Sequence, residues 1–201
     1  MEFIETTEEL EALYGTPVEM SLKKVTDHLT PTYREWIMAS RFCVLTTVGP
    51  EGTDGSPRGD DGPVVAELDA QTLAMPDWRG NERADSLRNI VRDPRVSLMF
   101  MVPGSGNVMR VNGEARLTAD DALRARFEKS GKQPRVVIVI RIDEVYPQCA
   151  RAIVRSRLWS AGDASVGLPT IGEMMKDLTS GAFDGESYDK EWLGRAQSTL
   201  W

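Results

Sequence analysis

The segment Met75-Pro76-Asp77-Trp78-Arg79-Gly80-Asn81-Glu82-Arg83-Ala84-Asp85-Ser86 carries the residue types that hold an anion. A strand is expected to end at Met75, and a turn through Gly80 follows. A helix is then expected over Glu82 to Arg92, with Asn81 as its N-cap and Pro94 beyond its end. The unpaired N–H groups of such a helix start attract negative charge. Arg83 and Ser86 would share one edge of this helix, and a guanidinium fork beside a hydroxyl suits a terminal phosphate. A charge-rich first turn is equally what an ordinary solvated helix shows, so the pattern alone leaves both readings open.

A second cluster is Gly55-Ser56-Pro57-Arg58-Gly59-Asp60-Asp61-Gly62. Proline restricts and glycine frees the backbone around Arg58, as in a chain passing close to a ligand. The Arg-Gly-Asp triplet in it is too short a match to imply adhesion. The single histidine, His28, is read as structural or surface, because one imidazole without a partner makes neither a triad nor a metal site. No metal site is expected. No phosphate-binding P-loop or GxGxxG is present, which argues against a nucleotide held in the usual α/β manner. Cys43 and Cys149 lack CxxC spacing and are read as two buried thiols.

The elements that must position these residues read mainly as strands. Phe42–Val48, Val64–Leu68, Thr72–Met75, Val96–Val102, Val108–Leu117 and Val136–Ile142 are short runs separated by turn signals. Val96–Val102 is so apolar that cover on both faces is expected. Val108–Leu117 alternates, with Arg110, Asn112, Glu114 and Arg116 on its polar face. Helices are expected at Glu8–Leu13 behind a Thr7 cap, at Pro31–Ser40, at Thr118–Lys129 behind a Thr118 cap, and at Ile171–Leu178. The expected fold is mainly β, an antiparallel barrel with flanking helices. The expected organisation is a helical segment over 1–40, a barrel domain over 41–160 and an extension over 161–201 that packs on the barrel or a dimer partner.

With 201 residues, 41% hydrophobic and 27% charged, one packed domain is the default. A net charge of −7 argues against nonspecific nucleic-acid binding, which needs a basic face. The first residues are acidic, unlike a secretion signal, and no apolar run approaches the roughly 20 residues that span a bilayer. A cytoplasmic location without membrane or nucleic-acid partners is expected.

The order of features resembles the FMN-binding split-barrel family typified by pyridoxamine 5′-phosphate oxidase. The segments that carry the resemblance are FCVLTTVGPEG, SPRGD, LAMPDWRGNERADSLRNIVRDPRVSLMFMVPG, VMRVNGEARLT and CARAIVRSRLW. They cover roughly Arg41 to Trp159, and PDxxGNxRxDSLxNI with SRLW points to a bacterial subgroup of such flavoproteins. The resemblance implies a Greek-key split barrel and a homodimer with FMN at the subunit interface. It implies phosphate contacts from Arg58 and Arg83, supported by Asp77, Gly80, Asn81 and Ser86. It also implies contacts from Arg110 and Asn112 on a later strand, and from Arg157 and Trp159 near the flavin ring. The chain departs from the family type at Arg157-Leu158-Trp159, where pyridoxamine 5′-phosphate oxidase has Arg-Leu-His-Asp-Arg. Oxidation of pyridoxamine phosphate therefore does not carry over. The activity implied is an FMN-dependent oxidoreductase with a small-molecule substrate or an NAD(P)H donor. The alternatives are a flavin or tetrapyrrole carrier or sensor without turnover, and a reductase using the deazaflavin F420.

Overall fold

The computed structural model describes residues 1–201. In chain order the elements are α1 (Thr7–Leu13), α2 (Glu19–Lys23), α3 (Pro31–Met38), β1 (Phe42–Gly49), β2 (Gly52–Gly59), β3 (Ala66–Asp69) and β4 (Thr72–Asp77). There follow α4 (Asp85–Arg92), β5 (Arg95–Met101), β6 (Val108–Thr118), α5 (Asp121–Ala125), β7 (Val136–Gln148), α6 (Arg151–Ser156), α7 (Ile171–Leu178) and α8 (Gly185–Ser198).

All seven strands join one antiparallel sheet in the order β2-β1-β5-β6-β7-β4-β3. The hairpins β1–β2 and β3–β4 flank the meander β5–β6–β7, and α4 carries the chain from one half to the other. β2 and β4 lie near opposite ends of this ladder, yet Arg58 on β2 reaches Asp77 on β4 at 2.5 Å. The sheet therefore curls back on itself, and its seam is closed by side chains rather than backbone pairing. This is the mainly β split barrel with flanking helices that the sequence predicts.

Alternating burial explains most strands. Cys43, Leu45 and Thr47 on β1, and Val96, Leu98 and Phe100 on β5, turn inward and are buried. The apolar ones among them meet Val111 and Ala115 of β6, and Ile138, Ile140 and Ile142 of β7, in one core cluster that Ile37 of α3 and Ile90 of α4 cap. Burial of this apolar surface is the main force holding the barrel. β6 and β7 pair along their whole length except for a bulge at Asn112/Gly113. Gly113 is required there, because a Cβ would lie 1.9 Å from the Arg141 carbonyl.

Several sequence expectations are corrected. Thr6, not Thr7, caps α1, in a capping box with Glu9. Asp120, not Thr118, caps α5, since Thr118 is still paired in β6. β5 is not covered on both faces: its outward residues are Arg95, Ser97, Met99 and Met101, and Met99 is 38% exposed. Cys149 is exposed, and only Cys43 is buried. His28 does have a neighbouring carboxylate, with Nδ1 2.8 Å from Asp27 Oδ1. The strand β2 and the helices α2, α6 and α8 lie where no element was expected. No helix is long and apolar enough to cross a membrane.

A cleft at the barrel seam as the candidate functional site

The seam opens into a cleft of about 960 Å³, a size that suits a cofactor or small ligand. Its walls are β2, the end of β4, the loop into α4, the segment 132–136, and Leu200 with Trp201.

β2 supplies the floor. Its inward positions Asp54, Ser56 and Arg58 sit opposite Thr47, Leu45 and Cys43 of β1, so three polar residues occupy a face that elsewhere holds the core. Arg58 is half-buried, its side chain 17% exposed, and bonds Asp77 Oδ1 through one terminal nitrogen. Its Nε is buried with no hydrogen-bond partner. An unsatisfied guanidinium N–H beside a cleft is costly, and an incoming anion would relieve it. The same burial pushes the Cys43 thiol up to about 12, with the Arg58 charge opposing the shift.

The loop 78–84 is shaped differently from the expected helix start. Asn81 does not cap α4. Its side chain accepts from the Arg83 N–H at 3.2 Å, which turns the loop. The cap position is Ala84, in the left-handed conformation (φ 54°) and without a side-chain bond to the helix. Glu82 is also left-handed (φ 63°), so both neighbours of Arg83 hold a backbone shape that non-glycine residues seldom adopt. Arg83 thus stands outside the helix and does not share an edge with Ser86. It is exposed and bonds Asp85 at 2.8 Å. Ser86 is buried and donates to Asp54 Oδ2 at 2.6 Å, while Asn89 donates to Thr47 Oγ1 at 3.1 Å. These polar contacts seat α4 on β1 and β2 and leave its first N–H groups without a side-chain cap.

Acid and base alternate around the lining: Asp54, Asp60, Asp77, Glu82 and Asp85 against Arg58, Arg79, Arg83, Lys132 and Arg135. Arg58, Arg83 and Arg135 are each held by a carboxylate, whereas Arg79 has none, so a ligand phosphate would compete with Asp77 for Arg58 and with Asp85 for Arg83. The spare Nε of Arg58, the unpaired Arg79 and the uncapped α4 terminus are what the cleft offers such a group without competition. The residues present fit an anionic cofactor of this kind.

Of the residues singled out from sequence, Arg58, Asp77, Gly80, Asn81, Arg83 and Ser86 line this one cleft. Arg110, Asn112, Arg157 and Trp159 do not. Arg110 lies over the Tyr146 ring at 5.5 Å, and Asn112 donates to Glu144 at 2.9 Å. Both belong to the outer face of the sheet. Arg157 ends α6 in a left-handed turn, and the Trp159 indole donates to the Ser105 carbonyl at 2.7 Å.

Sequence reasoning did not single out the lining residues Asp54, Asp60, Trp78 and Trp201. Asp54, Ser56 and Arg58 repeat with the period of a strand, a usable signal. Nothing local in the sequence marks Trp201.

The solved structures extend the picture. HupZ of Group A Streptococcus matches over 60% of this chain and 94% of its own, at 14% identity with a TM-score of 0.50. That likeness is one of fold. General Stress Protein 26 of Bacillus anthracis matches over 57% of this chain and 88% of its own, at 19% identity and a TM-score of 0.46. A FAD-binding protein of Mesorhizobium loti matches over 61% of this chain and 94% of its own, at 17% identity and a TM-score of 0.43. No curated relative matches the chain in sequence. A family model described as pyridoxamine 5′-phosphate oxidase matches residues 29–149. That span takes in every strand of the barrel and both sides of the cleft seam, and the chain therefore belongs to the pyridoxamine 5′-phosphate oxidase family.

Proposed function

We propose that the cleft holds FMN and that the protein is an FMN-dependent oxidoreductase acting as a homodimer in the cytoplasm. The observation that carries this reading is the half-buried Arg58 in the cleft lining, its Nε buried and unpartnered and its Nη1 tied to Asp77. In this reading Arg58, Arg83 and the first N–H groups of α4 hold the phosphate, Ser86 keeps α4 seated through Asp54, and Asp77 keeps the Arg58 fork aimed. A bound flavin supplies electron-pair transfer to or from a substrate or NAD(P)H, chemistry for which the protein gives position and a dry wall. Arg110, Asn112, Arg157 and Trp159 lie away from the cleft of their own subunit and serve the partner's. Two cysteines without a disulfide suit a reducing compartment.

The test is the chromophore of the purified protein, identified by mass spectrometry as FMN rather than F420. Arg58→Ala and Arg83→Ala are each expected to weaken FMN binding by about 1–3 kcal/mol, the range for charged hydrogen bonds. A colourless protein that takes up no FMN, or unchanged affinity in both variants, overturns the assignment. Oxidation of NAD(P)H in the presence of a small acceptor separates an enzyme from a carrier.

A further inference from the structure

The two ends of the cleft differ in chemistry, and the residues of β2 and just beyond it mark them. Asp54 and Arg58 belong to the charged end. Past Gly59 the chain presents Asp60, which accepts from the Trp78 indole N–H at 3.0 Å and pairs with Lys129. The Lys129 ammonium lies 4.4 Å from the centre of the Trp201 ring. That ring meets Trp78 edge to face, with centroids 5.1 Å apart and planes at 73°. The Trp201 carbonyl in turn accepts from Lys132 Nζ at 2.7 Å. Burial disfavours the Lys129 charge, but the Asp60 and Asp61 carboxylates outweigh it and raise its pKa above the usual lysine value.

A tryptophan more than forty positions beyond the last strand, Val136–Gln148, is thus fixed at the cleft by an indole, an ammonium and a backbone bond. Nothing in phosphate binding needs it. Because the Trp78 N–H is already spent on Asp60, what this residue offers a ligand is ring surface. The two indoles give this end an apolar, aromatic wall of the kind that receives a flat ring by stacking.

We propose that Trp78 and Trp201 form the ring-binding end of the cleft, with Trp201 as a specificity-determining residue for a planar heteroaromatic ring, here that of the flavin. The assignment rests on the FMN reading of the charged end. Lys129 and Asp60 act as positioning residues that hold the two indoles in place.

The experiment compares FMN with riboflavin, which carries the same ring without the phosphate, by titration into the ligand-free full-length protein. Trp201→Ala is expected to weaken both ligands by the same factor, about tenfold, as for loss of one stacking partner. Arg58→Ala is expected to weaken FMN alone. The fluorescence of bound flavin, quenched beside an indole in the native protein, is expected to rise several-fold in Trp201→Ala. Trp201→Phe is expected to restore affinity but not quenching. Circular dichroism at the tryptophan bands, without ligand, reports the indole pair and is expected to lose the same feature in Trp78→Phe and Trp201→Phe. If the native protein binds neither flavin, the FMN reading fails and the ring end falls with it. If the native protein binds FMN but Trp201→Ala alters neither riboflavin affinity nor flavin fluorescence, the ring end alone is overturned.

Discussion

Cys43 and Arg58 face each other across the β1–β2 ladder, and their environments explain which residues were legible as functional. Cys43 is fully buried, and burial pushes its thiol from an ordinary 9.0 up to about 12. A folded-state pKa above the unfolded one gives stability that is complete below about 9 and is lost as pH rises towards about 12. The melting temperature should therefore fall over that window, and Cys43→Ala should flatten the fall. A thiol reagent at neutral pH should modify Cys149 in the native protein and reach Cys43 only after unfolding; rapid native modification of Cys43 would refute its burial. Arg58 could be picked out from sequence because glycine and proline surround it. That its partner would be Asp77 could not, because the two are brought together only by closure of the sheet. Arg83 was chosen for a place on a helix it does not occupy: the left-handed Glu82 and Ala84 delay the helix to Asp85.

At the scale of elements, strands whose inner faces are apolar could be read from alternation: β1, β5 and β6 fall close to their expected spans, while β7 starts where expected and runs on to Gln148, six residues past the expected end at Ile142. β2 could not. Its inward residues are Asp54, Ser56 and Arg58, so the cue that marks a core strand is missing where the strand lines the cleft. The helical pair α7 and α8 shows a different limit. The two pack on each other at Gly172 and Gly185, where a Cβ on Gly172 would lie 2.2 Å from the Gly185 carbonyl. The Asp189 side chain bonds the Gly172 N–H at 2.9 Å from the second helix. Such a close approach depends on two glycines 13 positions apart that no local pattern links. Gly172→Ala should loosen this pair by about 1–3 kcal/mol, the cost of overpacking. Hydrogen exchange should show faster exchange in α7 and α8 with β6 and β7 unchanged. Equal loss of protection in the barrel would mean that the pair supports the core.

For the whole molecule, the outer face of the sheet bears on assembly. Val44, Met99, Arg110 and Tyr146 are successive cross-strand neighbours over β1, β5, β6 and β7. Together they make a partly exposed row of apolar side chains with one stacked guanidinium. Under the homodimer reading this row is the contact face. Light scattering should then give twice the 22.3 kDa chain mass, and Met99→Asp should yield monomers with weakened FMN binding. A native protein that stays monomeric at high concentration would remove the dimer. The closed seam has a last consequence. β6 and β7 form the long spine of the barrel, paired along their length but for the bulge at Asn112/Gly113, whereas β2 and β4 meet through Arg58 and Asp77. The barrel is bound like a book, stiff at the back and fastened at the front edge by a clasp of charges. A guest too large for the resting cleft would enter by undoing that clasp, with every backbone bond of the spine left intact.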